Sequence, residues 1–418
     1  MKLSGNGVIV QSGGPTAVIN NSICGVIWGW QKWAAGNGTL YGALYGIRGM
    51  LEDNLINLSA LDQRTFNALG YTPGAALGSC RYKLTADEDY MELLQSFKKR
   101  NVRYLFVVGG NDSMDTADKV HRLARREKYE MRVIGVPKTI DNDLPFTDHC
   151  PGYGSAAKYL ATTVLESGID LETLITSNRI VILEAMGRNA GWLTAAAALA
   201  RRGRGEAPHL LYLPEVPFNR EQFLEEVEEV YRDRGYAYVV ASEGLKDSSG
   251  RYVFAGSGKD SFGHARLGGL GDTLKGLVEE NMGVKVRCLN LGTAQRASAH
   301  YLSRVDNEEA FLVGRQAVRL ALSGHSGLMV TLVREETDYA CRTGSIELDR
   351  VANVEKKMPL EWISPAGNDV TAAFLEYARP LIRGEVALPT REGLPDYTRL
   401  PGLARYRSRA AGECRPAV

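Results

Sequence analysis

The sequence predicts an α/β fold: two Rossmann-like, three-layer α/β/α domains with a site in the cleft between them. Three observations point there. Short, continuously apolar runs recur along the chain, each closed by glycine or proline, and most are followed by a segment of helical character. Apolar strands of this kind are buried on both faces, as in parallel sheets covered by helices. In such sheets ligands bind beyond the carboxyl ends of the strands, and the polar motifs of this chain stand at that position.

Taken in order, GVIV (7–10) is the first strand, closed by Gly13 and Gly14, and residues 16–33 read as a helix with one apolar face. YLFVV (104–108) is stopped by Gly109 and Gly110, and a helix follows over 113–127. VIGV (133–136) ends at Pro137. IVIL (180–183) leads into Met186, Gly187 and Arg188 and then an alanine-rich helix over 190–201. Residues 208–213 and 237–242 are further strands of the same type. The expected division is a first α/β domain of 1–144 plus about 290–340, a second α/β domain of 145–289, and a helical, wrapping C-terminal extension of 341–418. From about 380 onward the chain is rich in Pro, Gly and Arg and reads as a surface tail.

Composition narrows the function. At ~150 residues per domain, 418 residues suggest two or three domains. With 44% hydrophobic and 24% charged residues, the chain is neither fibrous nor mainly disordered. Lys+Arg total 50 against 49 Asp+Glu, so no global basic field favours nucleic acid. The cysteines (Cys24, Cys80, Cys150, Cys288, Cys341 and Cys414) form no C-x-x-C pair and no zinc-finger spacing, which fits reduced thiols. The start of the chain lacks a signal-peptide pattern, and no run approaches the ~18 apolar residues of a membrane span. The expectation is a cytoplasmic protein that binds neither nucleic acid nor membrane.

Five motifs could carry chemistry. Gly13 and Gly14 allow close backbone approach at a helix start, which attracts anions. VVGGNDSMDTA (107–117) places Asn111, Asp112 and Ser113 at a second such start; one helix cap alone would not require all three. PKTIDNDL (137–144) puts Asp141 and Asp143 in a short turn beside Lys138, suiting a base and a metal ligand. EAMGRNAGW (184–192) offers Arg188, whose planar fork suits phosphate. LNLGTAQRASAH (289–300) contains Arg296 and follows Arg287, while Arg81 and Arg179 stand at other strand ends. A single arginine or an Asp-rich turn has an ordinary surface explanation. Together, two glycine cradles, paired carboxylates, a lysine and several arginines fit Mg²⁺-assisted phosphoryl transfer between small phosphorylated molecules. The chain has neither the G-x-x-x-x-G-K-[ST] of P-loop proteins nor the H-R-D loop of protein kinases.

GGPTAVIN (13–20), GGNDS (109–113), PKTIDND (137–143), MGR (186–188) and LGTAQR (291–296) resemble the phosphofructokinase A family, in the family's order and over roughly residues 5–310. WISPAGNDVTAAFLEYARPLIRGE (362–385) resembles its longer, pyrophosphate-dependent branch. The resemblance implies the phosphofructokinase fold and reversible, Mg²⁺-dependent phosphoryl transfer to the 1-hydroxyl of fructose 6-phosphate, in glycolysis or gluconeogenesis. It makes Asp141 the general base and places Thr139, Ile140, Met186, Gly187, Arg188 and Glu243 on the sugar. Thr293, Ala294, Gln295 and Arg296 would hold the 6-phosphate. Arg179 and Arg287 would reach it from a neighbouring subunit, implying a homodimer or homotetramer with shared sites. Gly13, Gly14, Gly110 and Ser113 would hold the donor, Arg81 would stabilise the transferring group, and Asn111 and Asp143 would bind Mg²⁺.

Donor choice turns on Asp112 and Lys138, where ATP-using members carry glycine, usually so at the second position. A carboxylate at 112 would repel and crowd a nucleotide's α-phosphate, while Lys138 would stabilise a leaving orthophosphate. Both favour pyrophosphate over ATP. Three departures from the family pattern stand out. Asn111 replaces a metal-binding Asp common in the family. Thr293 replaces a common histidine, so that Arg304 could share the 6-phosphate. Cys24 and Trp28 occupy positions of effector-binding arginines, predicting no activation by ADP or phosphoenolpyruvate. The alternatives are an ATP-dependent or sedoheptulose-7-phosphate-preferring enzyme, and a non-catalytic sugar-phosphate sensor, which would have no need of Asp141.

Overall fold

The computed structural model describes residues 3–80, 84, 86–174, 176, 179–203, 205–254, 267–335 and 339–403. The strands of the two main sheets are β1 (Asn6–Gln11), β2 (Leu40–Ala43), β3 (Leu55–Asn57), β4 (Val102–Gly109), β5 (Arg132–Pro137), β6 (Ile180–Ala185), β7 (Leu210–Tyr212), β8 (Ala237–Ser242), β9 (Val286–Asn290), β10 (Leu328–Arg334) and β11 (Cys341–Glu347). They form a seven-stranded sheet, β11-β10-β5-β4-β1-β2-β3, and a four-stranded sheet, β7-β8-β6-β9. The smaller sheet is wholly parallel. In the larger one only the edge strands β3 and β11 run antiparallel to their neighbours.

The apolar runs form strands because both faces of each sheet are covered. Ile9, Phe106 and Ile134 point to one side, where they meet Ile23 and Val313 from the helices Ile19–Trp33 and Arg304–Leu322. Val8, Leu105 and Val133 point to the other, against Leu94 and Met114 from Asp87–Lys99 and Asn111–Arg126. The second sheet repeats the arrangement: Val181 and Val240 pack on the helix Tyr153–Thr173, and Ile182 and Val239 pack on Phe223 and Leu274. Each half is therefore a three-layer α/β/α unit. Phe106 is fully buried, and truncating such a ring to alanine costs about 3–5 kcal/mol.

A pair of glycines joins the late helix to the first sheet. A Cβ on Gly25 would lie 2.1 Å from the Phe311 carbonyl, and one on Gly314 would lie 2.0 Å from that of Ser22. The two helices therefore cross nearly backbone to backbone, which returns the chain to the seven-stranded sheet for β10 and β11. Residues 341–347, expected in the wrapping extension, are instead the edge strand β11 of that sheet. Leu348 and Val351 still pack on the first sheet, the chain then crosses to the second unit, where Phe374, Tyr377 and Leu381 share a core with Val181, and Leu400 returns to the first.

Helix starts and lengths also differ from the periodicity reading. The first helix begins at Ile19. The second begins at Asn111 with Gly110 as its N-cap, so Asn111, Asp112 and Ser113 form its first turn and none of them caps it. The alanine-rich segment is only Trp192–Ala196, followed by a 3₁₀ turn, Ala197–Ala200. Small residues give it no apolar stripe with which to hold a longer amphipathic helix.

Candidate active site

The carboxyl ends of both sheets open on one cavity of about 480 Å³. Beyond β1 it is lined by Ser12, Gly13, Gly14 and Pro15, beyond β4 by Gly110, Asn111, Asp112 and Ser113, and beyond β5 by Lys138, Thr139, Ile140, Asp141 and Asp143. The second sheet adds Met186 and Arg188 beyond β6, Glu243 beyond β8 and Arg296 beyond β9. Strand polarity alone brings these residues together, since each follows the end of its strand by a few residues.

Local contacts set the charges. Lys138 is buried and donates from Nζ to the Gly14 carbonyl at 2.8 Å. Burial pulls its pKa down to about 8, although Asp141 and Asp143 oppose the fall. Asp141 is pushed above the usual carboxylate range by burial and by the charge of Glu243, against Arg188 and Lys138. Asp143 is pushed up by burial and by Asp141. Thr139 fixes the turn by accepting the Asp141 amide on Oγ1 at 3.0 Å. The result is a carboxylate with raised proton affinity in a small cavity that also holds the buried Lys138.

Arg188 sits in a left-handed backbone conformation, φ 31°, where non-glycine residues are uncommon. A Cβ on Gly244 would fall 1.3 Å from its carbonyl oxygen. Only glycine at 244 lets the turns after β6 and β8 meet, and that meeting sets Arg188 beside Glu243. Arg188 in turn counters the upward push of burial on Glu243.

Asn111 Nδ2 donates to Asp143 Oδ2 at 3.1 Å. The other oxygens of this pair, Asn111 Oδ1 and Asp143 Oδ1, are buried and have no hydrogen-bond partner among the described residues. Two orphaned hard oxygens on adjacent turns fit a small, hard divalent cation.

A comparison with protein families matches residues 6–321 to phosphofructokinase. The chain belongs to the phosphofructokinase family. It is 43% identical over 412 residues to a pyrophosphate--fructose 6-phosphate 1-phosphotransferase of Methylococcus capsulatus, covering 97% of this chain and 98% of the relative. A Halomonas elongata protein of the same name is 41% identical over 401 residues, covering 94% and 96%. Among solved structures, a pyrophosphate-dependent phosphofructokinase from Marinobacter aquaeolei superposes with a TM-score of 0.87 at 43% identity, covering 95% of this chain and 96% of that one.

Not every residue implied by the phosphofructokinase motifs reaches the cavity. Arg179 and Arg287 lie at the amino ends of β6 and β9, exposed, with Arg179 bonded to the Tyr231 hydroxyl and Arg287 3.8 Å from Asp170. Gly187, Thr293, Ala294 and Gln295 are absent from the lining. Thr293 is exposed, while the buried Gln295 accepts the Met186 amide on Oε1 at 2.9 Å and so braces the turn after β6. Arg296 lies against the first cradle, where a Cβ on Gly14 would stand 2.8 Å from its Nη1. Arg304 is outside the lining, its Nε 3.9 Å from Glu308. Arg81 lies outside the described residues.

The cavity also contains residues that the sequence reading missed: Ser12, Pro15, Asn353 and Glu355. Ser12 and Pro15 flank the glycine pair and could have been included with it. Nothing in the sequence marks Asn353 or Glu355.

Proposed function

We infer that the chain catalyses reversible transfer of a phosphoryl group from pyrophosphate to the 1-hydroxyl of fructose 6-phosphate, giving fructose 1,6-bisphosphate and orthophosphate. Its near-full-length relatives bear the name of that reaction. The observation that carries the donor assignment is the pairing of Asp112 with the buried Lys138 in one cavity. Asp112 repels a nucleotide's α-phosphate, and Lys138 supports the charge of a departing phosphate.

The chemistry follows from the residues present. The amides after β1 and β4 and the start of the helix Asn111–Arg126 bind the diphosphate. Arg188, Glu243 and Met186 hold the sugar against it, and Arg296 supplies a further cation. Asp141 takes the proton of the 1-hydroxyl as that oxygen attacks the terminal phosphorus. The bond to the bridging oxygen breaks, and orthophosphate leaves beside Lys138. In reverse, protonated Asp141 returns the proton to the sugar oxygen. Asn111 and Asp143 are the residues that would hold Mg²⁺, which when bound neutralises charge on the diphosphate. On this reading the seven-stranded unit binds the donor and the four-stranded unit the sugar. Arg179 and Arg287 serve the site of a neighbouring subunit in a homodimer or homotetramer, Arg81 stabilises the transferring group, and the enzyme works in the cytoplasm without ADP or phosphoenolpyruvate control.

The reverse reaction tests this. Fructose 1,6-bisphosphate, orthophosphate and Mg²⁺ are incubated with the enzyme and followed by ³¹P NMR. The expected result is a growing pyrophosphate signal with loss of the 1-phosphate. Absence of pyrophosphate over many enzyme equivalents would refute the reading.

A further inference from the structure

Between the short helix Leu348–Val351 and the 3₁₀ turn Leu360–Trp362, the chain runs as a strap along the cavity. Several contacts hold it. The Lys356 amide donates to the Asp143 carbonyl at 2.7 Å, and its Nζ donates to the carbonyls of Thr147 and Asp148 at 3.1 and 2.9 Å. From the other unit, Trp192 Nε1 donates to the Lys356 carbonyl at 3.1 Å. Asn189 Nδ2 donates to Glu355 Oε1 at 3.1 Å. Glu355 is thus one residue from the backbone tie to Asp143 and is oriented through one oxygen. Its Oε2 makes no hydrogen bond among the described residues.

We propose that Glu355 is a further active-site residue of the proposed reaction, its carboxylate supplying the second negative charge of the divalent-cation site formed by Asn111 and Asp143. The need for it lies in the donor set. Asn111 is neutral, so the pair with orphaned oxygens carries one formal charge for a dication. Asp141 is committed to the proton, and Glu243 faces Arg188. Asp112 is already given the discrimination between donors, which leaves Glu355 among the carboxylates that line the cavity, and its charge is felt at both Asp141 and Asp143. Small divalent cations such as Mg²⁺ are usually held by one or two carboxylates together with retained waters and substrate phosphates. The strap also makes ion binding depend on both units, because Glu355 is aimed by Asn189 from one and tied to Asp143 of the other.

The inference rests on the proposed reaction, but its test is read without turnover. Mn²⁺ is titrated into the full-length protein with imidodiphosphate present, and bound ion is measured by electron paramagnetic resonance. Glu355→Gln keeps the oxygen that accepts from Asn189, and an unchanged thermal midpoint without metal shows that the fold is retained. Glu355→Gln is expected to weaken Mn²⁺ binding by roughly ten- to a hundredfold. Adding Asn111→Asp to Glu355→Gln returns the missing charge and is expected to restore most of the affinity. Equal Mn²⁺ binding by wild type and Glu355→Gln, or a double variant as weak as Glu355→Gln alone, would overturn the assignment. A wild type that binds Mn²⁺ but forms no pyrophosphate would instead count against the reaction.

Discussion

The two ends of the four-stranded sheet use arginine in different ways. At the carboxyl ends, Arg188 and Arg296 line the cavity with Glu243 and the turn after β5. At the amino ends, Arg179 and Arg287 are exposed and engage Tyr231 and Asp170 of the same chain. The residue type and the neighbouring β-rich sequence are alike in both places. Strand direction separates them: parallel strands deliver every carboxyl-end turn to one edge, and leave the amino ends at the other. The described residues of one chain therefore build a cleft without two of the arginines its motifs imply.

Several variants would break or sharpen that contrast. Asp141→Asn, at the centre of the carboxyl-end group, is expected to lower kcat by about 10²–10⁴-fold with little change in KM, measured by coupled assay. Lys138→Gly is expected to cost about 10²–10³-fold with pyrophosphate, and together with Asp112→Gly to shift the donor ratio toward ATP. Removing an amino-end arginine should act on binding. Arg287→Ala is expected to raise the fructose 6-phosphate KM roughly ten- to a hundredfold, the loss of one charge-assisted contact of about 1.5–3 kcal/mol. At fructose 6-phosphate well below the raised KM, mixing Arg188→Ala with Arg287→Ala subunits after dissociation should give a rate above that of either alone, because one site in a mixed pair is then intact. Failure to show such a gain would return Arg287 to a purely surface role.

The pH profile gives a smaller effect with a defined sign. In the proposed mechanism Asp141 works when ionised, and burial and Glu243 raise its pKa, so the rate is expected to fall on acidification while ordinary carboxylates are still charged. Lys138 works when protonated and is pulled down to about 8 by burial, so the rate also falls as pH rises through that value. Glu243→Gln removes a charge that pushes Asp141 upward, and its acid limb is expected at lower pH than wild type. The mildest expected change is in stability. Gly244→Ala forces the turn after β8 away from the Arg188 carbonyl, costing about 1–3 kcal/mol in denaturant unfolding.

Much of the site was legible because strand, glycine and helix alternate in the sequence and each motif directly follows an apolar run. Fifteen of the expected residues line the cavity on that basis, from Gly13 to Arg296. The strap was not legible. Asn353 reaches Asp115, 238 positions away, at 3.0 Å, and no local periodicity encodes such a contact. The edge strand β11 was missed for a related reason. CRTGSIE pairs on one side only, its residues are exposed or half-buried, and it lacks the apolar run of an inner strand. The backbone approach at Gly244 was likewise hidden, because a glycine inside SEGL reads as an ordinary turn until its neighbour Arg188 is placed.

The donor assignment is tested most directly by the initial rate with fructose 6-phosphate and Mg²⁺, comparing pyrophosphate with ATP in the wild-type enzyme. With Asp112 and Lys138 both lining the cavity, turnover is expected with pyrophosphate and not with ATP. Turnover with ATP alone would contradict the account.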